Sequence, residues 1–136
     1  PRNSIEATVA GSFMLLGVVG LEGERKGDVL PLTFYWKCLT PPVASYGFLL
    51  TFLDEVQKPY AQVYHPIGYR VFPPSHWEKG RRYAETYSLV LPELLPGKTY
   101  ELTLSVIEEG TFHPVLLEKE GLITEFLSIG EISEPL

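Results

Sequence analysis

The chain has 136 residues and a formal net charge of −6, because 17 acidic side chains outnumber 11 basic ones. This length suits one domain with its own hydrophobic core, so we expect residues 1–136 to form a single unit. An acidic surface is poorly matched to nucleic-acid phosphates, so we expect no nucleic-acid partner. The sequence contains no run of about 18 apolar residues, which argues against direct insertion into a membrane.

Neither the first residue of the chain nor its cysteine content indicates a cellular compartment. The chain begins at Pro1 rather than at a methionine, and we therefore expect it to be a piece of a longer protein. The one cysteine, Cys38, cannot form an internal disulfide, so cysteine usage indicates no redox compartment. Cys38 falls in an apolar alternation, where a buried thiol is expected.

Alternation of apolar and polar residues is the dominant pattern along the chain. Residues 30–38 alternate strictly, which predicts a half-buried β-strand. Further strands are predicted at residues 5–9, 12–19, 46–53, 61–65, 82–91, 100–106, 115–117 and 122–129. Turns rich in Pro and Gly separate them, and we expect Gly110 to take a positive φ in a hairpin at residues 108–111.

Many short strands with such turns indicate an all-β fold. We predict an immunoglobulin-like sandwich of two antiparallel sheets, with about seven to nine strands and little or no helix. A closed lipid-binding barrel is the weaker alternative. The predicted core is the inward set of these strands: Leu32, Phe34, Trp36, Phe48, Leu50, Phe52, Tyr87, Leu89, Tyr100, Leu102, Leu104 and Val106.

The segment at residues 95–102 carries the most specific signal. Tyr100 follows the turn at Pro96 and Gly97 and enters a strand, as in the tyrosine corner of β-sandwich domains. We expect the ring of Tyr100 to lie in the core and its hydroxyl to bond to upstream backbone.

A wider pattern resembles a known group of domains. It comprises Trp77-Glu78-Lys79-Gly80, the strand at residues 83–91, Pro96-Gly97 and Tyr100-Glu101-Leu102. Over residues 29–106 the chain resembles the β-sandwich domains appended to bacterial membrane glycosyltransferases. The resemblance implies a non-catalytic accessory module that lies outside the cytoplasm and contacts glycans.

A loop at residues 66–80 is long for a compact domain, and long loops are often functional. Trp77 lies in it, and sugars stack on exposed aromatic rings. We therefore predict a ligand site, with a glycan as its ligand, formed by Tyr64, Tyr69, Arg70, Trp77 and Arg81. The alternative for Trp77 is a structural role, with its ring closing one end of the sandwich.

A second hypothesis is a protein–protein interaction domain. The outward residues Thr33, Tyr35 and Lys37 would lie on an uncovered sheet face, and an exposed apolar patch would favour this hypothesis. The basic cluster of Lys79, Arg81 and Arg82 is predicted to lie at a solvated strand edge, where such charges prevent pairing with other chains.

Catalytic and metal-binding patterns are missing from the sequence. The histidines His65, His76 and His113 lack the spacing of a zinc site, and Asp28 and Asp54 are the only aspartates. Neither a Gly-x-Ser-x-Gly elbow nor a Gly-rich phosphate loop is present. We therefore expect no enzymatic activity, no cofactor and no metal.

Overall fold

The computed structural model describes residues 4–22, 27–42, 44–70 and 74–135. Their regular structure consists of eleven strands and two 3₁₀ turns, Ile67–Arg70 and Pro74–His76. The strands are β1 (Ser4–Val9), β2 (Phe13–Val19), β3 (Val29–Cys38), β4 (Tyr46–Leu53), β5 (Pro59–Pro66), β6 (Arg82–Val90), β7 (Thr99–Glu108), β8 (His113–Pro114), β9 (Leu117–Lys119), β10 (Leu122–Thr124) and β11 (Leu127–Ser133).

The strands form two antiparallel sheets that pack face to face. One sheet has the order β10-β9-β1-β2-β3-β6, and the other has the order β11-β7-β4-β5 with β8 beside β7. The predicted all-β, two-sheet antiparallel sandwich is therefore confirmed. The described residues form eleven strands rather than the expected seven to nine, because the C-terminal third of the chain is divided into short strands.

Strand β3 shows how the sequence pattern produces this architecture. Its inward side chains are all buried, while those between them are half-buried or exposed. β3 lies between β2 and β6, so its backbone pairs on both sides. The buried members end with Trp36 and Cys38, and Cys38 is the buried thiol that the alternation predicted.

The core consists of the side chains that the two sheets direct toward each other. Phe34 of β3 stacks on Phe48 of β4 with ring centroids 4.6 Å apart. Tyr87 of β6 meets Phe48 edge-on at 5.0 Å. All twelve predicted core residues are buried, which confirms the inward register of β3, β4, β6 and β7.

The C-terminal strands differ from the prediction. The strand expected at residues 115–117 is not formed: β8 ends at Pro114 and pairs with β7, residues 115 and 116 lie between strands, and Leu117 begins β9, which pairs with β1 in the other sheet. The single strand expected at residues 122–129 is two strands in different sheets. The chain leaves one sheet after Thr124, whose Oγ1 accepts a hydrogen bond from the Phe126 N–H at 3.4 Å.

The hairpin after β7 also differs from the prediction. Phe112, not Gly110, has the left-handed backbone, with φ of 56°. The Phe112 N–H donates to the Glu108 carbonyl at 2.7 Å, and the Thr111 N–H donates to Glu108 Oε1 at 2.8 Å. The loop is therefore held by Glu108 and not by the conformational freedom of a glycine.

Tyr100 forms the predicted corner. Its ring is buried, and the Leu95 N–H donates to its hydroxyl at 3.0 Å. Tyr60 of β5 packs on the ring at 4.9 Å and donates its own hydroxyl to the Glu93 carbonyl. The corner thus ties the connection before β7 to two strands, and this arrangement is consistent with an immunoglobulin-like sandwich.

Replacement of Tyr100 by Phe should lower the free energy of unfolding by about 1 kcal/mol, because the Leu95 N–H loses its acceptor. Chemical denaturation measures the change. Tyr35→Phe, on the exposed face of β3, is the control and should change stability by less than about 0.5 kcal/mol. Equal stability of the Tyr100→Phe variant and the wild type would contradict a structural role for the hydroxyl.

Candidate functional site

Trp77 is the centre of the predicted ligand site, and its ring is buried, with 3% of its surface exposed. It stacks on Tyr83 with ring centroids 4.7 Å apart and meets Phe13 edge-on at 5.5 Å. It also contacts Trp36, the largest ring of β3, at 6.1 Å. The expectation that Trp77 offers a ring face to a sugar does not fit this position, because the core covers the ring. The structural alternative fits it: Trp77 packs into the sandwich.

Hydrogen bonds fix the end of the loop to the sheet. The Gly80 N–H donates to the Cys38 carbonyl at 2.7 Å, and the Cys38 N–H donates to the Arg81 carbonyl at 2.9 Å. The Glu78 N–H donates to the Tyr83 hydroxyl at 2.7 Å. These bonds hold the segment between Trp77 and β6 as a continuation of the sheet, so this part of the loop is built into the fold.

Tyr64 lies on a different surface from Trp77. It is opposite Leu49 on the outer face of the second sheet, and its ring covers Gly47 of β4. Its hydroxyl donates to Glu109 Oε2 at 2.7 Å, and its ring packs on Phe112 at 5.2 Å. Phe112 is 58% exposed, so an aromatic surface does exist here, but its second ring comes from the β7–β8 hairpin.

The other predicted site residues do not complete a cluster. Arg81 is exposed, and its Nη1 lies 3.3 Å from Glu78 Oε2. The backbone of Tyr69 and Arg70 lies in the 3₁₀ turn Ile67–Arg70, and their side chains lie outside the described residues. The described geometry therefore separates Tyr64 from Trp77 and leaves the ligand role of Tyr69 and Arg70 as a prediction.

A half-buried carboxyl anchors the start of the loop. Glu85 Oε1 accepts hydrogen bonds from the Tyr87 hydroxyl at 2.7 Å and from the Gly68 N–H at 3.1 Å. The imidazole of His65 packs on the Tyr87 ring at 4.3 Å. Burial raises the pKa of Glu85, while the hydrogen bonds from Tyr87 and Gly68 and the charge of His65 oppose that shift. This cluster joins β5, β6 and the first 3₁₀ turn.

The outer face of the six-stranded sheet carries the residues predicted for a protein interface. Tyr35 is exposed, and the hydroxyls of Thr33 and Thr86 are 2.8 Å apart. Arg82 begins β6 at one edge of this sheet. The basic residues therefore lie at a sheet edge, as predicted.

The opposite edge of this sheet carries a feature that the sequence patterns did not reveal. Four large apolar side chains here are more than half exposed, and we call them the edge patch: Leu116 (57%), Leu122 (73%), Ile123 (66%) and Phe126 (56%). Leu122 and Ile123 lie in the terminal strand β10. Period-two patterns place such residues in strands but do not say whether a second sheet covers them.

A shallow groove of about 270 Å³ runs beside the edge patch. Its lining combines apolar residues with the acidic Glu118: Thr8, Ala10, Gly11, Leu116, Leu117, Glu118 and Ile123. A Cβ built on Gly11 would meet nothing within 4 Å, so the groove is open above this residue. The groove gives the patch a concave part that could accept an apolar side chain.

Among the described residues, no group of three His, Cys, Asp or Glu side chains could hold a metal ion. Within the same residues, no helix has the length and apolar character needed to cross a membrane. Burial raises the pKa of the Cys38 thiol, which keeps it in the less nucleophilic protonated form.

Comparison with known proteins assigns this chain to no family. No family model matches the chain, and no curated protein matches it either. A crystal structure of a Bordetella pertussis protein provisionally named ApaA aligns over 99% of this chain and 98% of that chain, with 15% identity and a TM-score of 0.32. A TM-score this low does not establish a common fold, and the likeness assigns no function.

Replacement of Gly47 by Ala should destabilise the protein by about 1–3 kcal/mol, because the new methyl group overlaps the ring of Tyr64. Denaturation measures the loss, and NMR contacts between Tyr64 and Phe112 report the position of the ring. The double variant Gly47→Ala/Tyr64→Ala is the control: once the ring is absent, the added methyl group should cost much less. Strict additivity of the two substitutions would contradict the packing of Tyr64 over Gly47.

The stability of the Glu85→Gln variant relative to the wild type should increase as the pH rises. A raised folded-state pKa means that this carboxyl contributes stability below its unfolded pKa and loses that contribution as pH rises through the folded pKa. The stability of Glu85→Gln minus that of the wild type, measured between about pH 4 and pH 7, should therefore increase. Glu131→Gln, an exposed change on β11, controls for removal of a surface charge. A constant or decreasing difference would show that burial of Glu85 does not dominate.

Proposed function

We propose that this domain is a non-catalytic accessory module that binds another protein through the edge patch. The observation that carries the proposal is the concentration of Leu116, Leu122, Ile123 and Phe126 at one sheet edge, all more than half exposed. Single apolar residues on a surface need no explanation, but a group of them beside an open strand indicates an interaction site.

The contrast between the two edges of the six-stranded sheet supports this proposal. Native sheets protect exposed edges with charged residues, because an open edge can pair with other chains. Arg82 is the first residue of β6 and Arg81 precedes it, so charged residues protect this edge of the sheet. The strand segment of β10, Leu-Ile-Thr, contains no charged residue. An edge that lacks such protection within the strand fits a surface that is covered in a complex.

Binding of a glycan by the aromatic loop is the weaker hypothesis. It relied on Trp77, whose ring packs against Phe13 and Tyr83 inside the sandwich. Tyr64 and Arg81 remain accessible in part, but Tyr64 is tied to Glu109 and Arg81 pairs with Glu78. The accessory role and the immunoglobulin-like assignment have separate support, from the resemblance over residues 29–106 and from the corner at Tyr100.

A photo-crosslinking experiment tests the proposed function. The photoreactive amino acid p-benzoylphenylalanine replaces Ile123 in the full-length protein in its own cells, and Val56, exposed in the turn after β4, is the control position. We expect one dominant crosslinked protein at position 123 and not at position 56. An excess of the free domain should compete with the crosslink, and the Ile123→Lys domain should not.

Two results would contradict the proposal. Crosslinks to the same set of proteins at positions 123 and 56 would indicate random encounters and not a binding surface. A crosslink at position 123 that the wild-type and Ile123→Lys domains compete equally would show that the edge patch does not determine binding.

A further inference from the structure

We propose that the groove beside the edge patch binds one arginine side chain of the partner protein. This inference rests on the proposed function and specifies the chemistry that the partner presents. The aliphatic stem of the arginine lies along the apolar wall of the groove, and its guanidinium pairs with the carboxylate of Glu118. The strand register, the lining of the groove and the charge around it support this assignment.

The strand register places one acidic side chain beside the edge patch. Ile123 of β10 is opposite Glu118 of β9, and Glu118 is opposite Thr8 of β1. Residues that are opposite each other on neighbouring strands direct their side chains to the same face of the sheet. The three side chains therefore form a row on the outer face, with the exposed Glu118 between an apolar residue and a hydroxyl.

The lining of the groove has an apolar part and one charge. Leu116, Ala10 and Ile123 contribute hydrocarbon, and Glu118 is the one charged side chain among the described residues that line it. A long basic side chain has the same two parts, an aliphatic stem that packs on apolar surface and a charged head. The groove therefore matches such a side chain better than a purely apolar one, which would leave Glu118 without a complement.

The polar end of the groove favours arginine over lysine. A guanidinium has five N–H donors in a planar fork, and this fork can pair with both oxygens of a carboxylate. It is also more weakly hydrated than an ammonium group, which suits it to an interface. The hydroxyl of Thr8, a further possible acceptor, lies in the same lining opposite Glu118.

The groove is open at the turn between β1 and β2. Ala10 and Gly11 form this turn, and both have positive φ, 49° and 70°. The Ala10 N–H donates to the Leu116 carbonyl at 3.1 Å, which holds the turn beside the apolar wall. A Cβ built on Gly11 would meet nothing within 4 Å. The entrance for a side chain is therefore already formed in the folded chain.

The surroundings of the groove favour a cation. Residues 116–126 contain Glu118, Glu120 and Glu125, all exposed, and one lysine, Lys119. Lys119 follows Glu118 in β9, so its side chain points to the other face of the sheet. Acidic groups around a binding site attract a cationic partner. They also oppose a second copy of this chain as the occupant, because its net charge is −6.

Titration with short capped peptides tests the inference. The probe is acetyl-Gly-Arg-Gly-amide, added to the isotope-labelled chain and followed by NMR. We expect saturable shifts at Ala10, Gly11 and Glu118, and NOE contacts from the arginine methylenes to the methyl groups of Leu116 and Ile123. Peptides with lysine, citrulline or norleucine in place of arginine should bind about three- to tenfold more weakly, because they lack the planar fork, the charge or both.

Three variants separate the parts of the groove from the general acidity of the chain. Glu118→Gln should weaken arginine binding about three- to tenfold and abolish the preference for arginine over citrulline. Glu120→Gln removes the same charge from the β9–β10 turn, outside the groove, and should change binding by less than about twofold. Leu116→Ala, an exposed change, should weaken the arginine and norleucine peptides alike, because both use the apolar wall.

Three results would overturn the inference. The first is the absence of saturable shifts at the groove up to about 10 mM probe, which would nearly saturate a site with a dissociation constant of about 1 mM. The second is equal binding of the arginine and citrulline peptides, or equal effects of Glu118→Gln and Glu120→Gln. The third is a dimer in sedimentation that Glu118→Gln dissociates, which would assign the groove to a second copy.

Failure of this inference is distinguishable from failure of the proposed function. If position 123 crosslinks a specific cellular protein while the arginine peptide does not bind, only the partner chemistry is wrong. If the peptide binds at the groove while position 123 gives no specific crosslink, the arginine site stands and the protein interface is wrong.

Discussion

The sandwich depends on one stack of aromatic rings that joins its two sheets. Phe34 of β3 stacks on Phe48 of β4, and Tyr87 of β6 meets both rings edge-on. Rings of this size bury large areas, and such pairs add attraction beyond the burial itself. Because side chains alternate strictly between the faces of a strand, a slip of one residue in any of these strands would move its ring into solvent. The pairing register of the central strands is therefore specified by the rings.

The aromatic stack also explains the structural role of Trp77 in the loop at residues 66–80. It continues from Phe34 through Trp36 and Phe13 to Trp77, so the ring that appeared suited to a ligand is part of the core. The Trp36 Nε1 is buried without a hydrogen-bond partner among the described residues, which shows how apolar this region is. The end of this loop, residues 77–80, is held against the sandwich by this packing and by the hydrogen bonds of Glu78 and Gly80. Its position in the sequence suggested function, but its packing gives it a structural role.

The sequence predicted the regular part of the molecule well, for a physical reason. Strands such as β3 bury one face completely, so apolar residues such as Phe34 and Trp36 recur at every second position. This alternation can be recognised from the sequence alone. The burial of Trp77 could not be predicted in this way, because a loop residue belongs to no periodic pattern and its burial depends on residues that are distant in the sequence. The edge patch was missed for the related reason that Leu122 and Ile123 look like core residues in a short strand. Whether a second sheet covers them depends on the point at which the chain changes sheets, here beyond Thr124.

The glutamates near β10 give the unprotected edge a second property. An apolar strand at an open edge is a hazard, because it can pair with any exposed strand, including its own copy. Glu118, Glu120 and Glu125 lie beside that strand and not within it, so they leave its backbone and apolar side chains accessible. They repel acidic chains, including this one, and attract basic ones. On the proposed function, these carboxylates disfavour acidic partners and further copies of this chain, because specificity requires discrimination against competitors as well as attraction.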